Sequence, residues 1–108
     1  MTIKEAIQAN LQIEADNLVD KVIIDRGLTA SETYTSSYTG EVEIATAFIY
    51  KHLALHPNFK EGGLSISINP DKYLKIANDI FRKYNLLDEV IQGTQPQITI
   101  FNIEDTLN

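Results

Sequence analysis

The sequence predicts a mainly α-helical domain, with about four helices in a compact bundle and a small two-stranded β element flanking the last long helix. Apolar residues recur at helical spacing in four segments. They alternate with polar residues in two short segments, at 64–68 and 97–103, as in half-buried strands. A chain of 108 residues can build one hydrophobic core but not two. We therefore expect a single domain over residues 1–108.

The N-terminal region predicts two helices. Thr2 and Glu5 have the spacing of a capping box, which would start a helix over about residues 3–11. Asp16 is expected to cap a second helix, and Gly27 to end it in the left-handed conformation. The buried stripe expected for the second helix is Leu18, Val19, Val22 and Ile23.

The segment 29–40, TASETYTSSYTG, is polar and has no periodic apolar pattern. It predicts either a long loop or a loop with one helical turn after Ser31. Loops near a dozen residues within a compact domain are more often functional than idle. Tyr34 and Tyr38 belong to the residue type enriched at protein interfaces, so we consider them interface candidates. The alternative is that both rings fold back on the core.

Residues 41–56 predict the longest and most apolar helix, which belongs at the centre of the bundle. The small Ala47 and Ala54 lie opposite its main apolar arc and would let a second helix approach closely. The helix is expected to end at His56, because Pro57 disfavours the helical conformation of the residue before it. The main apolar arc comprises Val42, Ile44, Ala45, Phe48, Ile49, Leu53 and Leu55.

The last long helix is predicted over about residues 70–85, with Asn69 as its cap and Pro70 at its first position. A short turn, with or without helical geometry, is expected over 86–92. The apolar face of the long helix comprises Tyr73, Leu74, Ile76, Ala77, Ile80, Phe81 and Tyr84. Its polar face comprises Lys72, Lys75, Asp79, Arg82 and Lys83.

This basic face has two interpretations. It is a solvated surface in which Asp79 bridges Lys75 and Lys83 at i±4, or it docks onto an acidic surface of a partner protein, including another copy of this acidic chain. The two predicted strands add a further contact, because strand edges present unpaired backbone groups that a neighbouring chain can complete. The C-terminal strand or tail, 97–108, would pair within its own chain or with a neighbour.

The strongest candidate for chemistry is His52 with His56, one helical turn apart, a spacing found in many zinc sites. The segment HLALH lacks the glutamate of a metalloprotease motif, and the chain has no cysteine. The alternative is two partly buried histidines at the edge of the core, bonded to backbone carbonyls. There is no GxSxG motif, and EGG at 61–63 lacks a P-loop signature. We expect no catalytic residue, metal, cofactor or small-molecule substrate.

Charge and hydropathy exclude further classes. The net charge of −6 disfavours contact with phosphate backbones, so no nucleic acid partner is expected. No apolar stretch approaches the ~20 residues that cross a bilayer, so no membrane partner is expected either. The N-terminus MTIKEAIQ lacks the basic start and apolar run of a secretory signal. We expect the protein to be made and kept inside a cell, or in something that is assembled there.

The run EGGLSISI at 61–68, followed by LKIANDIFRKY at 74–84, resembles small structural proteins of tailed phages and prophages in the head–tail connector (neck adaptor) class. The resemblance extends over about residues 1–86. It implies a helical, non-enzymatic subunit that forms a ring beneath the portal and carries tail-side proteins. It also implies the bacterial cytoplasm during assembly and the virion neck afterwards as locations.

The expected partners are therefore copies of the same chain, the phage portal and tail-side proteins. The alternative is a small bacterial protein-interaction or regulatory module unrelated to virions, with an enzyme or a metal-binding protein as the remaining classes. The interface residues expected from these patterns are Tyr34, Tyr38, Lys72, Lys75, Arg82, Lys83, Ile98 and Ile100.

Overall fold

The mainly helical class is confirmed by the computed structural model, which describes residues 1–11, 13–56, 60–61, 64–65 and 69–91. Short 3₁₀ turns precede the third helix and follow the fourth. No helix in these ranges is both long and apolar enough to span a bilayer. The four α-helices are α1 (Ile3–Asn10), α2 (Asp16–Asp25), α3 (Thr39–Leu55) and α4 (Pro70–Lys83), and the 3₁₀ turns are Ser36–Tyr38 and Leu87–Glu89.

Helix α1 begins with the predicted capping box. The Thr2 hydroxyl accepts a hydrogen bond from the Glu5 amide at 3.1 Å, and the Glu5 carboxylate accepts one from the Thr2 amide at 2.8 Å. Both contacts satisfy amides that have no partner within the helix. Ile3 and Ile7 are buried on the inner side, so the cap fixes the helix while these two side chains attach it to the core.

Helix α2 buries the predicted stripe but begins differently from the prediction. Asp16 is its first residue, and the N-cap is Ala15, which provides no side-chain hydrogen bond. The Asp16 carboxylate instead accepts from the Gln8 side chain at 2.8 Å, which ties the second helix to the first. Gly27 has φ of +71° and follows the helix as predicted, in a conformation that glycine adopts without steric cost.

Helix α3 is the centre of the bundle and contacts each of the other three helices. It begins at Thr39, directly after the 3₁₀ turn, and ends at Leu55 with His56 as the C-cap. Leu55 was predicted on the main apolar arc, but this residue is 46% exposed, so the prediction was wrong for it. The helix stops at Leu55 and leaves it at an end of the packed surface. The buried residues are Val42, Ala45, Thr46, Ala47, Ile49, Tyr50, Leu53 and Ala54.

Helix α4 packs most extensively against α3. Asn69 caps it by accepting from the Lys72 amide at 3.2 Å, with Pro70 at the first position. Two edge-to-face aromatic pairs join the helices: Phe48–Phe81, with centroids 5.1 Å apart, and Tyr50–Tyr73, with centroids 4.9 Å apart. This geometry suits the aromatic quadrupole. The helix ends at Lys83, two residues before the predicted end.

The predicted β element flanking α4 is not supported. In the described part of the chain, Leu64–Ser65 pairs antiparallel with Lys60–Glu61, so both two-residue strands precede α4. The rest of the first predicted strand, 66–68, and all of the second, 97–103, lie outside the described residues.

The polar segment 29–40 contains one helical turn, at Ser36–Tyr38 and not directly after Ser31. Thr33 forms an isolated antiparallel bridge with Thr2, and the Ile3 amide donates to the Glu32 carbonyl at 2.8 Å. These backbone contacts attach the segment to the start of α1. Part of its hydrogen-bonding capacity is therefore used within the subunit.

Candidate functional site

The two tyrosines predicted at an interface are half-buried and pack against the core. The Tyr34 hydroxyl lies 3.1 Å from the Thr39 hydroxyl. The Tyr38 hydroxyl donates to the Glu32 carboxylate, and this hydrogen bond raises the pKa of Tyr38. Both phenol groups thus have partners within the subunit, and their role at an interface stays a prediction.

The basic face of α4 is exposed, as predicted, but its charges are paired differently. Asp79 contacts Lys75 at 3.0 Å and Arg82 at 3.7 Å. Lys83 does not join this cluster, because its amine lies 2.9 Å from the Glu43 carboxylate on α3. Exposed ion pairs of this kind contribute little to stability, but they reduce the positive charge available to an acidic partner. Ile98 and Ile100 lie outside the described residues.

Glu43 connects α3 to the C-terminal end of α4 through two contacts. It accepts a hydrogen bond from the Tyr84 hydroxyl and one from the Lys83 amine. The Tyr84 hydrogen bond, followed by the Lys83 contact, holds the pKa of Glu43 below its ordinary value. A hydrogen bond to the ionised form favours that form. The cluster keeps Glu43 charged and fastens the two longest helices together.

A groove of about 340 Å³ lies between α2 and the C-terminal half of α3. We call it the α2–α3 groove. Its apolar side chains are Leu18, Val22, Phe48 and Leu55. Its polar side chains are Lys21, Asp25, Arg26, Lys51, His52 and His56. Both helices contribute to each set, so the site exists only in the folded chain.

The polar rim of the groove carries more positive than negative charge. Lys21 pairs with Asp25 at 2.6 Å, and Lys51 pairs with Glu89 at 2.8 Å. The Arg26 guanidinium lies 5.0 Å from the centroid of the Phe48 ring, in a cation–π arrangement. Among the described residues, Arg26 forms no ion pair with a carboxylate. The groove is thus a local positive surface on a chain of net charge −6.

The His52 and His56 rings stack on each other, with centroids 4.2 Å apart and planes 19° apart. His56 Nδ1 donates to the His52 carbonyl at 2.8 Å, in agreement with the backbone-bonded interpretation. His52 is half-buried, but His56 is exposed, so the expectation that both are partly buried was wrong for His56. Burial, followed by the charges of His56 and Lys21, lowers the pKa of His52. Within the described residues, no three His, Asp or Glu side chains are grouped to hold a metal.

Of the basic residues of this groove, only His52 and His56 stand out in the sequence pattern, as a pair one helical turn apart. Lys21 and Arg26 occur in the last turns of one predicted helix, and Lys51, His52 and His56 occur near the end of another. The concentration of basic residues near two helix ends of an acidic chain indicates a local positive surface. The relative placement of the two helices, which brings the two sets together, is not encoded in either segment alone.

Together, the fold and the groove define a small four-helix protein with an apolar, basic-rimmed recess between its second and third helices. The chain belongs to DUF6706, a family of unknown function whose model matches residues 1–106. Comparison with curated proteins found no significant match, and the same was true of solved structures.

Proposed function

We propose that this protein is a non-enzymatic structural subunit of tailed phages or prophages, of the head–tail connector type. The subunit assembles with copies of itself and docks onto portal and tail-side proteins. The observation that carries the proposal is the α2–α3 groove, an apolar recess with a positive rim on an acidic chain. Apolar area framed by charge is typical of surfaces that contact other proteins. The resemblance of 61–84 to connector proteins supports the same function.

Three further elements would contribute contacts in the assembly. The loop 29–40 presents the half-exposed rings of Tyr34 and Tyr38. The exposed face of α4 presents Lys72, whose amine has no carboxylate partner among the described residues. The C-terminal segment 97–108 carries the predicted strand, which can be exchanged between neighbouring subunits. A ring that uses these contacts forms in the bacterial cytoplasm and remains at the virion neck.

Binding to a portal protein tests this function directly. Genes for portal, capsid and tail proteins beside the gene for this chain would identify the portal to use. Co-expression and affinity purification should recover a stable complex of that portal with the full-length chain. The variant Arg26→Glu should reduce the recovered complex, whereas Arg82→Glu, at an exposed arginine on α4, should reduce it less. A chain that stays monomeric at high concentration and fails to bind the portal would contradict the proposal.

Deletion of residues 97–108 tests strand exchange as the mechanism of assembly. The deletion should weaken the oligomers while leaving the helices folded, as judged by circular dichroism. An unchanged assembly state would exclude exchange of this segment. A truncated chain that unfolds would show that the segment completes the core of its own domain.

The alternative function is a small bacterial interaction or regulatory module that acts as a monomer or dimer. The α2–α3 groove favours it as well, because a recess of this size on one subunit can hold a single partner peptide. The gene neighbourhood separates the two functions. A monomeric chain that binds a non-virion partner through this groove, with no affinity for a portal, would support the module.

A further inference from the structure

We infer that the α2–α3 groove of one subunit holds the 3₁₀ turn Leu87–Glu89 of a second copy of this chain. In that contact the Leu87 side chain packs against the apolar wall of the groove, and the Asp88 carboxylate pairs with Arg26. The inference deepens the self-assembly in the proposed function and rests on it, because it names the two surfaces that join one subunit to the next. Both surfaces belong to the described part of the chain.

The turn Leu87–Glu89, called the Leu87 turn below, presents an apolar side chain and a carboxylate to solvent. Leu87 is 61% exposed, and the neighbouring Asp88 is exposed as well. Among the described residues, Asp88 forms no ion pair with a lysine or an arginine. A single exposed leucine is ordinary by itself. The way this one is held, and its match to the groove, make it a contact residue.

Contacts on both sides hold the Leu87 turn in place. Asn85 follows α4 with φ of +59°, the left-handed conformation in which many helices end. The Leu86 amide donates to a backbone carbonyl of α4 at 2.7 Å, and the Leu86 side chain packs against the core. On the other side, Glu89 pairs with Lys51 at 2.8 Å. Because the turn is already ordered, little conformational freedom is lost when it binds.

The turn of a subunit does not fill the groove of the same subunit. Leu87 is not among the side chains that line that groove, although the two surfaces adjoin at Lys51. Since the turn is fixed, a Leu87 turn that enters the groove comes from another molecule. Every copy carries both surfaces, so the contact can be repeated from one subunit to the next. A repeated contact between two different surfaces forms a ring when its rotation closes.

The turn and the groove are complementary in polarity and charge. Leu55 and Phe48 form part of the apolar wall, and Leu55 is partly exposed. Arg26 lacks a carboxylate partner among the described residues, and Asp88 lacks a basic one. A guanidinium and a carboxylate form a strong, charge-assisted hydrogen bond. The net charge of −6 repels two copies, so the favoured contact is one in which unlike charges meet.

Sedimentation velocity of the full-length chain tests the contact. Leu87→Asp should weaken self-association at least about tenfold, because it places a charge at the central apolar residue of the contact. The matched control is Ile24→Asp, since Ile24 is 74% exposed and does not line the groove, and it should change self-association little. Both variants should keep folded helices by circular dichroism. Equal effects of the two substitutions would overturn the inference.

Mixing two variants distinguishes a direct contact from indirect damage. Leu55→Asp alters the groove and leaves the turn intact, whereas Leu87→Asp alters the turn and leaves the groove intact. The two are mixed in equal amounts at a concentration where neither associates alone. The mixture should form a dimer, because one intact turn can still enter one intact groove. A mixture that stays monomeric would contradict the inference.

Charge exchange tests the ion pair. Arg26→Glu and Asp88→Arg should each weaken self-association, and the chain with both substitutions should recover most of the loss, because the pair is then reversed. The control combines Asp88→Arg with Arg82→Glu, which gives the same net charge and should remain weakened. Additive losses from Arg26→Glu and Asp88→Arg would contradict a contact between these two residues.

Portal binding, measured separately, distinguishes failure of this contact from failure of the proposed function. Self-association that Leu87→Asp and Leu55→Asp leave unchanged would overturn the inference alone. Loss of portal binding in Arg26→Glu, without any change in self-association, would overturn it too and would assign the groove to the portal. A chain that is monomeric at every concentration would overturn the inference, and would overturn the function as well only if portal binding also failed.

Discussion

Asn78 and Ile91 exchange two hydrogen bonds. The Asn78 side chain donates to the Ile91 carbonyl at 2.6 Å and accepts from the Ile91 amide at 3.0 Å. Asn78 is buried on α4. Its side-chain amide therefore satisfies both the N–H and the C=O of Ile91, as a backbone partner would in a strand. These two hydrogen bonds fix Ile91 against α4.

Replacing Asn78 should therefore destabilise the subunit. In Asn78→Ala both Ile91 backbone groups lose their partner, and we expect the unfolding free energy to fall by about 1–3 kcal/mol. Chemical denaturation followed by circular dichroism measures the change. Asp88→Ala, at an exposed position, is the control and should differ little from the unmodified protein. An Asn78→Ala variant as stable as this control would show that the two hydrogen bonds contribute nothing.

The capping box at Thr2 gives a second prediction. Thr2→Ala removes the acceptor for the Glu5 amide, so the unfolding free energy should fall by about 1 kcal/mol. Thr2→Ser keeps the hydroxyl and should recover most of that loss. Thermal unfolding of the three proteins at neutral pH provides the comparison. Identical melting temperatures for the alanine and serine variants would show that the hydroxyl does not cap α1.

The environment of His52 predicts loss of stability in mild acid. Burial, followed by the charges of His56 at the C-cap of α3 and of Lys21 on α2, lowers the pKa of His52 in the folded chain. Below the ordinary pKa of about 6.5, the unfolded chain binds more protons than the folded chain. The free energy of unfolding therefore decreases as the pH is lowered. His52→Gln should therefore lose less stability between about pH 7 and about pH 5.

The matched control is His56→Gln, which changes the exposed member of the stacked pair. It should retain more of the acid sensitivity, because burial of His52 is the largest cause of its lowered pKa. Denaturation midpoints at several pH values measure the difference. The same pH dependence in His52→Gln as in the unmodified chain would rule out His52 as the group responsible.

Glu43 predicts a separate acid transition at lower pH. The hydrogen bond from Tyr84, then the contact with Lys83, lowers the pKa of Glu43 in the folded chain. Its stabilisation is therefore complete above the ordinary pKa of about 4.3 and is lost as pH falls through the lowered folded value. Glu43→Gln should be less stable near neutral pH, and its deficit should shrink in acid. Glu41→Gln, at an exposed position on the same helix, is the control; a constant deficit for Glu43→Gln would contradict the assignment.

The elements that were predicted well are set by neighbouring residues. The helix ends are fixed by hydrogen bonds and backbone conformations within one turn. The residues concerned are Thr2 and Glu5, Asn69 and Pro70, and Gly27. The helical pattern also identified most of the core, because apolar periodicity reports which side of a helix is buried. These signals require no knowledge of how the helices are arranged.

The predictions that failed depend on distant parts of the chain. Lys83 does not form the expected ion pair with Asp79. It pairs instead with Glu43, which is forty positions away in the sequence. Asp16 contacts Gln8 on another helix and does not cap its own. The α2–α3 groove likewise combines side chains whose proximity follows from tertiary packing. A local sequence pattern predicts contacts within one helix, and it does not show that a residue from a distant helix will form the contact instead.

Sedimentation velocity of the full-length chain over a wide range of concentration tests most directly whether the protein acts by assembly. We predict a concentration-dependent shift from monomer to a discrete larger species, and addition of the cognate portal protein should stabilise that species at lower concentration. Deletion of 97–108 should weaken the shift while circular dichroism still shows folded helices. A single monomeric species at every concentration, unchanged by the portal protein, would contradict the proposed function.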